Sequence, residues 1–187
     1  MSNYRIDKHF CIIGAGAIGG LIAARLNHHG YNVSCIARGN SYEKLSKNGI
    51  KILSASERIQ SKPIIFKINE KIPQIDYLFI TMKANSLPTI AEDLKKHISK
   101  KTNIITGMNG IPHWYFCGLN SQFKKSLIES VDPKGIVSNS LPPKKIIGSV
   151  IYPAAKLIEP GVIEHSSGNK ITLGEPSGLK SERINLS

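Results

Sequence analysis

The sequence predicts an α/β fold built on a doubly wound, mostly parallel sheet, with additional β-strands in the C-terminal part. Three observations carry that prediction. Up to about residue 110, short apolar runs alternate with stretches of helical periodicity. The first run, Phe10-Cys11-Ile12-Ile13, leads directly into a glycine-spaced turn and then an amphipathic stretch. From Gly148 to Glu175 the helical period gives way to strand-like segments punctuated by turn residues.

The elements follow in order. Residues 10–13 read as a strand buried on both faces, as in a parallel sheet. Residues 17–29 read as a helix, because Ile18, Leu21, Ile22 and Leu26 fall on one face and Gly30 supplies a stop. Residues 32–37 form a second strand, and residues 41–48 a short polar helix ended by Gly49. Residues 50–53 and 59–68 suit strands of a hairpin-like excursion. Residues 76–82 (DYLFITM) are a buried strand. A helix is expected next, with Ser86 as cap and Pro88 in the first turn. Leu87, Ile90, Leu94 and Ile98 make its stripe, and Glu92 and Asp93 precede Lys95, Lys96 and Lys100 as the helix dipole favours. Residues 103–106 are the next strand. Beyond Gly107 lie an aromatic stretch, 112–116, and a region rich in Pro, Gly and Ser, 131–150. Pro160-Gly161 and Gly168-Asn169 then mark turns between three β-segments. Residues 1–180 are expected to form one nucleotide-binding domain. Residues 181–187 read as a linker that opens a helical domain.

The net charge of +12, from 25 basic and 13 acidic residues, invites a nucleic-acid reading. The basic residues are mostly scattered lysine pairs: Lys95-Lys96, Lys100-Lys101, Lys124-Lys125 and Lys144-Lys145. Without an arginine cluster or a basic stripe interleaved with aromatics, no nucleic-acid partner is expected, and a basic surface that draws small anions is the preferred reading. The longest apolar run, Phe10 to Ala24, is short of the roughly 20 residues of a membrane span. Arg5, Lys8 and His9 precede it as in a leader peptide, but Asp7 is out of place there. No membrane association is expected, and the cytoplasm is the default location. The three cysteines, Cys11, Cys35 and Cys117, form no CxxC pair. Neither a disulfide scaffold nor a metal site is expected, and Cys11 and Cys35 read as buried thiols.

The glycine turn carries the first chemistry. Gly14-Ala15-Gly16-Ala17-Ile18-Gly19 matches GxGxxG between a strand and a helix, the context a dinucleotide site needs. Gly14 permits the tight turn, Gly16 lets the backbone approach a pyrophosphate, and Gly19 allows close helix–strand packing. The unpaired N–H groups of the opening helical turn then face the diphosphate. An NAD site places Asp or Glu after the second strand, but no acidic residue lies between Asp7 and Glu43. The second strand ends instead in Arg38-Gly39. A guanidinium there meets a 2′-phosphate with paired hydrogen bonds, so NADP is the expected cofactor.

Two further strand ends, Thr81-Met82-Lys83-Ala84 and Gly107-Met108-Asn109-Gly110, fall at the same carboxyl edge. With GAGAIGG, Arg38-Gly39, VDPKG at 131–135, GSVIYPAAKLIEPGVIEH at 148–165 and ITLGEPSG at 171–178, the sequence resembles the ketopantoate reductase (2-dehydropantoate 2-reductase) family. The resemblance implies a Rossmann-type domain that binds NADPH, with residues 14–19 as phosphate loop and Arg38 on the 2′-phosphate. It implies catalytic and cofactor-contacting roles for Lys83, near the nicotinamide half, and for Asn109, beside the nicotinamide ribose and the substrate. A snorkelling surface lysine is the plainer reading of Lys83, and a turn former before Gly110 that of Asn109.

The implied activity is NADPH-dependent reduction of a 2-keto acid, 2-dehydropantoate to pantoate in pantothenate biosynthesis. Two departures bear on it. Residues 109–116 (NGIPHWYF) gather aromatics that either shape a different substrate pocket or pack against the sheet. The family's helical C-terminal domain, which supplies the general-acid lysine, has no counterpart before Ser187. Lys156 and His165 read as structural or exposed rather than as its replacement. The sequence is therefore expected to be the cofactor-binding half of such an enzyme, with a homo-oligomer or a helical partner domain to cover it. A non-catalytic NADP-binding module or subunit is the alternative.

Overall fold

The structure is a computed structural model that describes residues 8–117, 122–123 and 126–185. The Lys124-Lys125 pair, the residues before Lys8 and the last two of segment 181–187 lie outside the described residues.

Apolar runs without alternation become the centre of the main sheet. β1 (His9–Ile13) leads into α1 (Ala17–His28), β2 (Asn32–Ile36), α2 (Gly39–Asn48), β3 (Ile50–Leu53), β4 (Arg58–Ser61), β5 (Ile64–Phe66) and β6 (Tyr77–Ile80). α3 (Ala91–Lys95), β7 (Asn103–Thr106), α4 (Ile136–Ser140), β8 (Ile146–Ile151), β9 (Ala154–Glu159), β10 (Val162–Ser167), β11 (Ile171–Gly174) and α5 (Glu182–Asn185) follow. Seven strands form one sheet in the order β11-β8-β7-β6-β1-β2-β5. All its pairs are parallel except β11 with β8. Every residue of β6 is buried, as a strand covered on both faces requires.

The two faces of β1 feed two cores, as the period of two dictates. Ile12 packs with Leu21, Ala23 and Ala24 of α1, and this core continues to Ile50, Ile52 and Ile163. Cys11 and Ile13 face the other way, with Leu78, Ile80, Leu87, Leu94, Val137 and Leu141. Burial pushes the Cys11 thiol up to about 12 and raises that of Cys35 as well, so both stay protonated.

The additional C-terminal β-structure is present but divided. β8 and β11 extend the main sheet, whereas β9 and β10 join β3 and β4 in a second sheet of order β4-β3-β10-β9. α1 packs against both sheets, closely enough that a Cβ on Gly20 would meet Ile163 Cδ1 at 2.3 Å. Residues 59–68 are not one strand. β4 pairs antiparallel with β3 as a hairpin, and after Lys62-Pro63 the chain crosses to place β5 parallel beside β2. The proline breaks the run because it has no N–H to offer a ladder. The helix expected at Ser86 is also shorter: a 3-10 turn spans Ala84–Ser86, and the α-helical part is confined to α3. Ser86 does not cap α3, and Thr89 Oγ1 donates to the Ser86 carbonyl instead.

Segment 181–185 folds back on the sheet edge. Arg183 Nε donates to Glu175 Oε1 at 2.6 Å and Nη2 to the Ile146 carbonyl at 2.9 Å. The Ser181 hydroxyl donates to the same carboxylate. This charge-assisted pairing holds the Glu175 carboxyl below its usual range and raises Arg183.

Candidate functional site

Because β1, β2, β6, β7 and β8 run parallel, their following loops share one edge. Strand order reverses around β1, with β2 on one side and β6 on the other, which opens a crevice beside its end. There the chain turns sharply at Gly14 (φ +91°), where a Cβ would lie 2.7 Å from the Met82 amide nitrogen. Gly16 caps α1 with its own backbone and has no acidic side chain in the turn beyond it. A Cβ on Gly16 would find only the Gly14 carbonyl, at 3.9 Å, so the space above it is open to a ligand. Gly19 is the reverse case, since a Cβ would come 2.3 Å from the Gly14 carbonyl and 2.2 Å from Thr81 Oγ1. The surroundings of the three glycines thus differ, with a tight turn at Gly14, open space at Gly16 and close packing at Gly19. Ala15 and Ile18 pack partly against the core, and Ala17 opens the helix.

A cleft of about 370 Å³ adjoins this loop, lined by Ile18, Thr81, Lys83, Met108, Asn109 and Ile151 among others. Lys83 and Asn109 are thereby brought together. Lys83 is exposed at the start of the 3-10 turn, and its ammonium has no hydrogen bond or ion pair among the described residues. Asn109 is more constrained. Its Nδ2 donates to the Ile151 carbonyl at 3.1 Å, and its Oδ1 accepts from the Ile151 amide at 3.2 Å. The amide continues the β7 side of the sheet past Thr106 while one N–H and one lone pair stay free for a ligand. Arg38 lies outside the cleft, on the β2 side of the loop. It is exposed, it precedes α2, and its guanidinium has no partner among the described residues.

Sequence reasoning gave Thr81 no role of its own. Its hydroxyl lies 3.0 Å from the Ile13 carbonyl and 2.9 Å from that of Gly14, so it fastens the end of β6 to the glycine turn. A Thr at the end of a buried strand, beside a Gly-rich turn, was the available signal. Ile151 and Pro153 lie in the 148–165 stretch that carries the resemblance but were given no role of their own; they reach the cleft from the end of β8 and the residues just beyond it. Of the aromatics, Trp114 packs over β8, where a Cβ on Gly148 would meet its ring at 2.6 Å, whereas Tyr115 is exposed. Lys156 is exposed on β9. His165 is buried, its Nδ1 facing Arg25 Nη2 at 3.3 Å and its Nε2 facing the Ser167 and Gly168 carbonyls. Among the described residues there is no metal-ligand cluster, and no helix is long and apolar enough to cross a membrane.

An open parallel sheet with a glycine turn at its switch point and a ligand-sized cleft beside it defines a Rossmann-like α/β domain. The model of the ketopantoate reductase PanE/ApbA family matches residues 10–178, and the chain belongs to that family. It is 36% identical over 176 residues to a 2-dehydropantoate 2-reductase of Mesorhizobium japonicum, covering 94% of this chain and 54% of that protein. It is 29% identical to the uncharacterized oxidoreductase YkpB of Bacillus subtilis, covering 94% and 51%. A crystal structure from Ralstonia solanacearum, assigned as a ketopantoate reductase, superposes with a TM-score of 0.90 at 27% identity over 96% of this chain and 56% of that one. A ternary complex of D-mandelate dehydrogenase with NADH and anilino(oxo)acetate shares the fold at a TM-score of 0.71 and 20% identity, covering 95% and 50%. The chain spans about half the length of the curated relatives it matches.

Proposed function

We propose that this chain is the nucleotide-binding half of an NADPH-dependent 2-oxo acid reductase acting on 2-dehydropantoate. The observation that carries the reading is the open space above Gly16 beside a cleft holding Lys83 and Asn109. The first N–H groups of α1 have no intrahelical acceptor and bind the diphosphate. Arg38 takes the 2′-phosphate. The nicotinamide, when bound, supplies the hydride. Lys83 holds the substrate carboxylate by charge, and the free N–H and lone pair of Asn109 orient ribose and substrate. Ile18, Met82 and Pro153 give the cleft apolar wall that excludes water from one side. A group to protonate the developing alkoxide is not among the residues matched here, and we assign it to a helical domain joined to or docked on this one.

Titration of the chain with NADPH and NADH tests the cofactor half. NADPH is expected to bind tighter by tenfold or more, on the scale of about 1.4 kcal/mol or more for a bidentate charged contact. Equal affinities would remove the 2′-phosphate assignment. A second reading, a cofactor-binding module without turnover, is favoured by the exposure of both Lys83 and Asn109. Loss of nicotinamide absorbance on adding 2-dehydropantoate would rule that reading out.

A further inference from the structure

A second cation stands beside Arg38. β5 is the neighbour of β2 on the side away from β1, and the two strands run parallel with Ile36 opposite Phe66. Both therefore end at the carboxyl edge, where nucleotides bind. One further bond carries the pairing past the last ladder residues: the Ala37 amide donates to the Phe66 carbonyl at 3.0 Å. The residue that follows is a cation in each segment, Arg38 after Ala37 and Lys67 after Phe66.

The Lys67 side chain reaches the helix that Arg38 opens. Its Nζ lies over the Tyr42 ring, 4.8 Å from the centroid. Tyr42 follows Arg38 by one turn of α2, and its amide donates to the Arg38 carbonyl at 3.3 Å. The face of an aromatic ring attracts an ammonium, which gives a flexible lysine a preferred place on the surface. Among the described residues Lys67 makes no ion pair. The first turn of α2 carries no acid, and Glu70, in the same loop, accepts from the backbone amide of Lys67 at 2.9 Å. Two exposed cations on adjacent strand ends are thus left without a counter-charge.

We propose that Lys67 is the second cation of the 2′-phosphate site and, with Arg38, a specificity-determining residue for NADPH over NADH. The proposal rests on the NADPH reading above and adds a residue to it. An NAD site holds its ribose hydroxyls from the end of the second strand, so the 2′ position belongs to the strand end that Lys67 flanks. A phosphate monoester carries a charge of about −1.5 to −2 near pH 7, more than one guanidinium offsets. Arg38 supplies a planar fork that fixes the phosphate, and Lys67 supplies a point charge for the remainder. An exposed ammonium contributes little by itself, so Lys67 acts only where Arg38 already holds the phosphate.

The test titrates the chain and its variants with NADPH and with NADH and reads the ratio of the two dissociation constants. Lys67→Met is expected to lower the NADPH preference by about fivefold, with the melting temperature unchanged because the side chain is exposed. Lys67→Arg is expected to keep the preference. In Arg38→Ala the ratio is expected to be about one whichever residue stands at position 67. A preference that survives Lys67→Met, or that falls equally in Lys67→Arg and Lys67→Met, overturns the role of Lys67 and leaves the NADPH reading standing. Equal affinity of the unmutated chain for the two cofactors overturns both.

Discussion

The Thr81 hydroxyl sits 2.9 Å from the Gly14 carbonyl, and the same carbonyl would be struck by any Cβ on Gly19. The end of β6 and the first turn of α1 are therefore clamped around one peptide group. Glycine at position 19 keeps the clamp closed, and glycine at position 16 keeps the space above it open. The two positions are expected to fail differently. Gly19→Ala should lower both thermal stability and NADPH affinity, with about 1–3 kcal/mol of stability lost to overpacking. Gly16→Ala should melt like the parent, yet bind NADPH at least about tenfold more weakly because its methyl group occupies the diphosphate's approach. Melting curves paired with cofactor titrations separate the cases, and unchanged NADPH affinity in Gly16→Ala would refute the loop assignment.

Arg38 makes no hydrogen bond or ion pair with the described residues, so its replacement costs the fold little. Arg38→Ala is expected to bring NADPH affinity down to that of NADH, with NADH binding and melting temperature unchanged. A parallel fall in both affinities would mean that the residue acts through the shape of the loop rather than through the 2′-phosphate.

How far these sites could be read in advance depended on the range of the forces that build them. β1, β6 and β7 are contiguous apolar runs, and the glycine turn between β1 and α1 is six consecutive residues, so both were legible locally. The family motifs marked Lys83 and Asn109 on the same grounds. The pairing of Asn109 with Ile151 joins residues 42 apart, and no periodicity announces it. The transfer of β9 and β10 to a second sheet was hidden for the same reason, because strand partners are chosen by tertiary packing. Pro63 did mark the break between β4 and β5 and was passed over. The place of Lys67 over the Tyr42 ring depends on how β5 is seated beside β2, which only coordinates can show.

Acid should weaken this fold through two groups acting in the same direction. The Arg183 hydrogen bond, above all, depresses the Glu175 carboxyl below its ordinary value of 4.5. The stability it contributes is full above that value and is lost as pH falls through the folded pKa. Burial depresses His113 below 6.5, so the unfolded chain binds the proton first and stability drops as pH falls below that point. Denaturant midpoints measured from pH 7 down to pH 4 should therefore decline from about pH 6.5 onward, and His113→Phe should flatten the upper part of the decline. Arg183→Met should remove about 1.5–3 kcal/mol at pH 7, and its difference from the parent should narrow as pH falls below 4.5. A midpoint for Arg183→Met equal to the parent's at pH 7 would show that segment 181–185 does not hold the sheet edge.

The contact between α1 and the second sheet can be tested by restoring it. A Cβ on Gly20 would lie 2.3 Å from Ile163 Cδ1 but 3.5 Å from Cγ1, and the nearest backbone atom, the Ala15 carbonyl oxygen, is 3.7 Å away. The obstruction is thus one terminal methyl group on a buried side chain. Gly20→Ala alone should gain about 1 kcal/mol of helix propensity and lose about 1–3 kcal/mol to overpacking, for a net loss. Ile163→Val alone should cost about 0.5–1.5 kcal/mol for the missing methylene. Together the two changes exchange one carbon for another across the interface, so the double variant should be more stable than the sum of the single changes by about 1–2 kcal/mol. Denaturant unfolding of the four proteins measures that coupling directly. Simple additivity would mean that α1 and β10 shift apart to accommodate the methyl group, and that the second sheet is not packed tightly on the helix that follows the glycine turn.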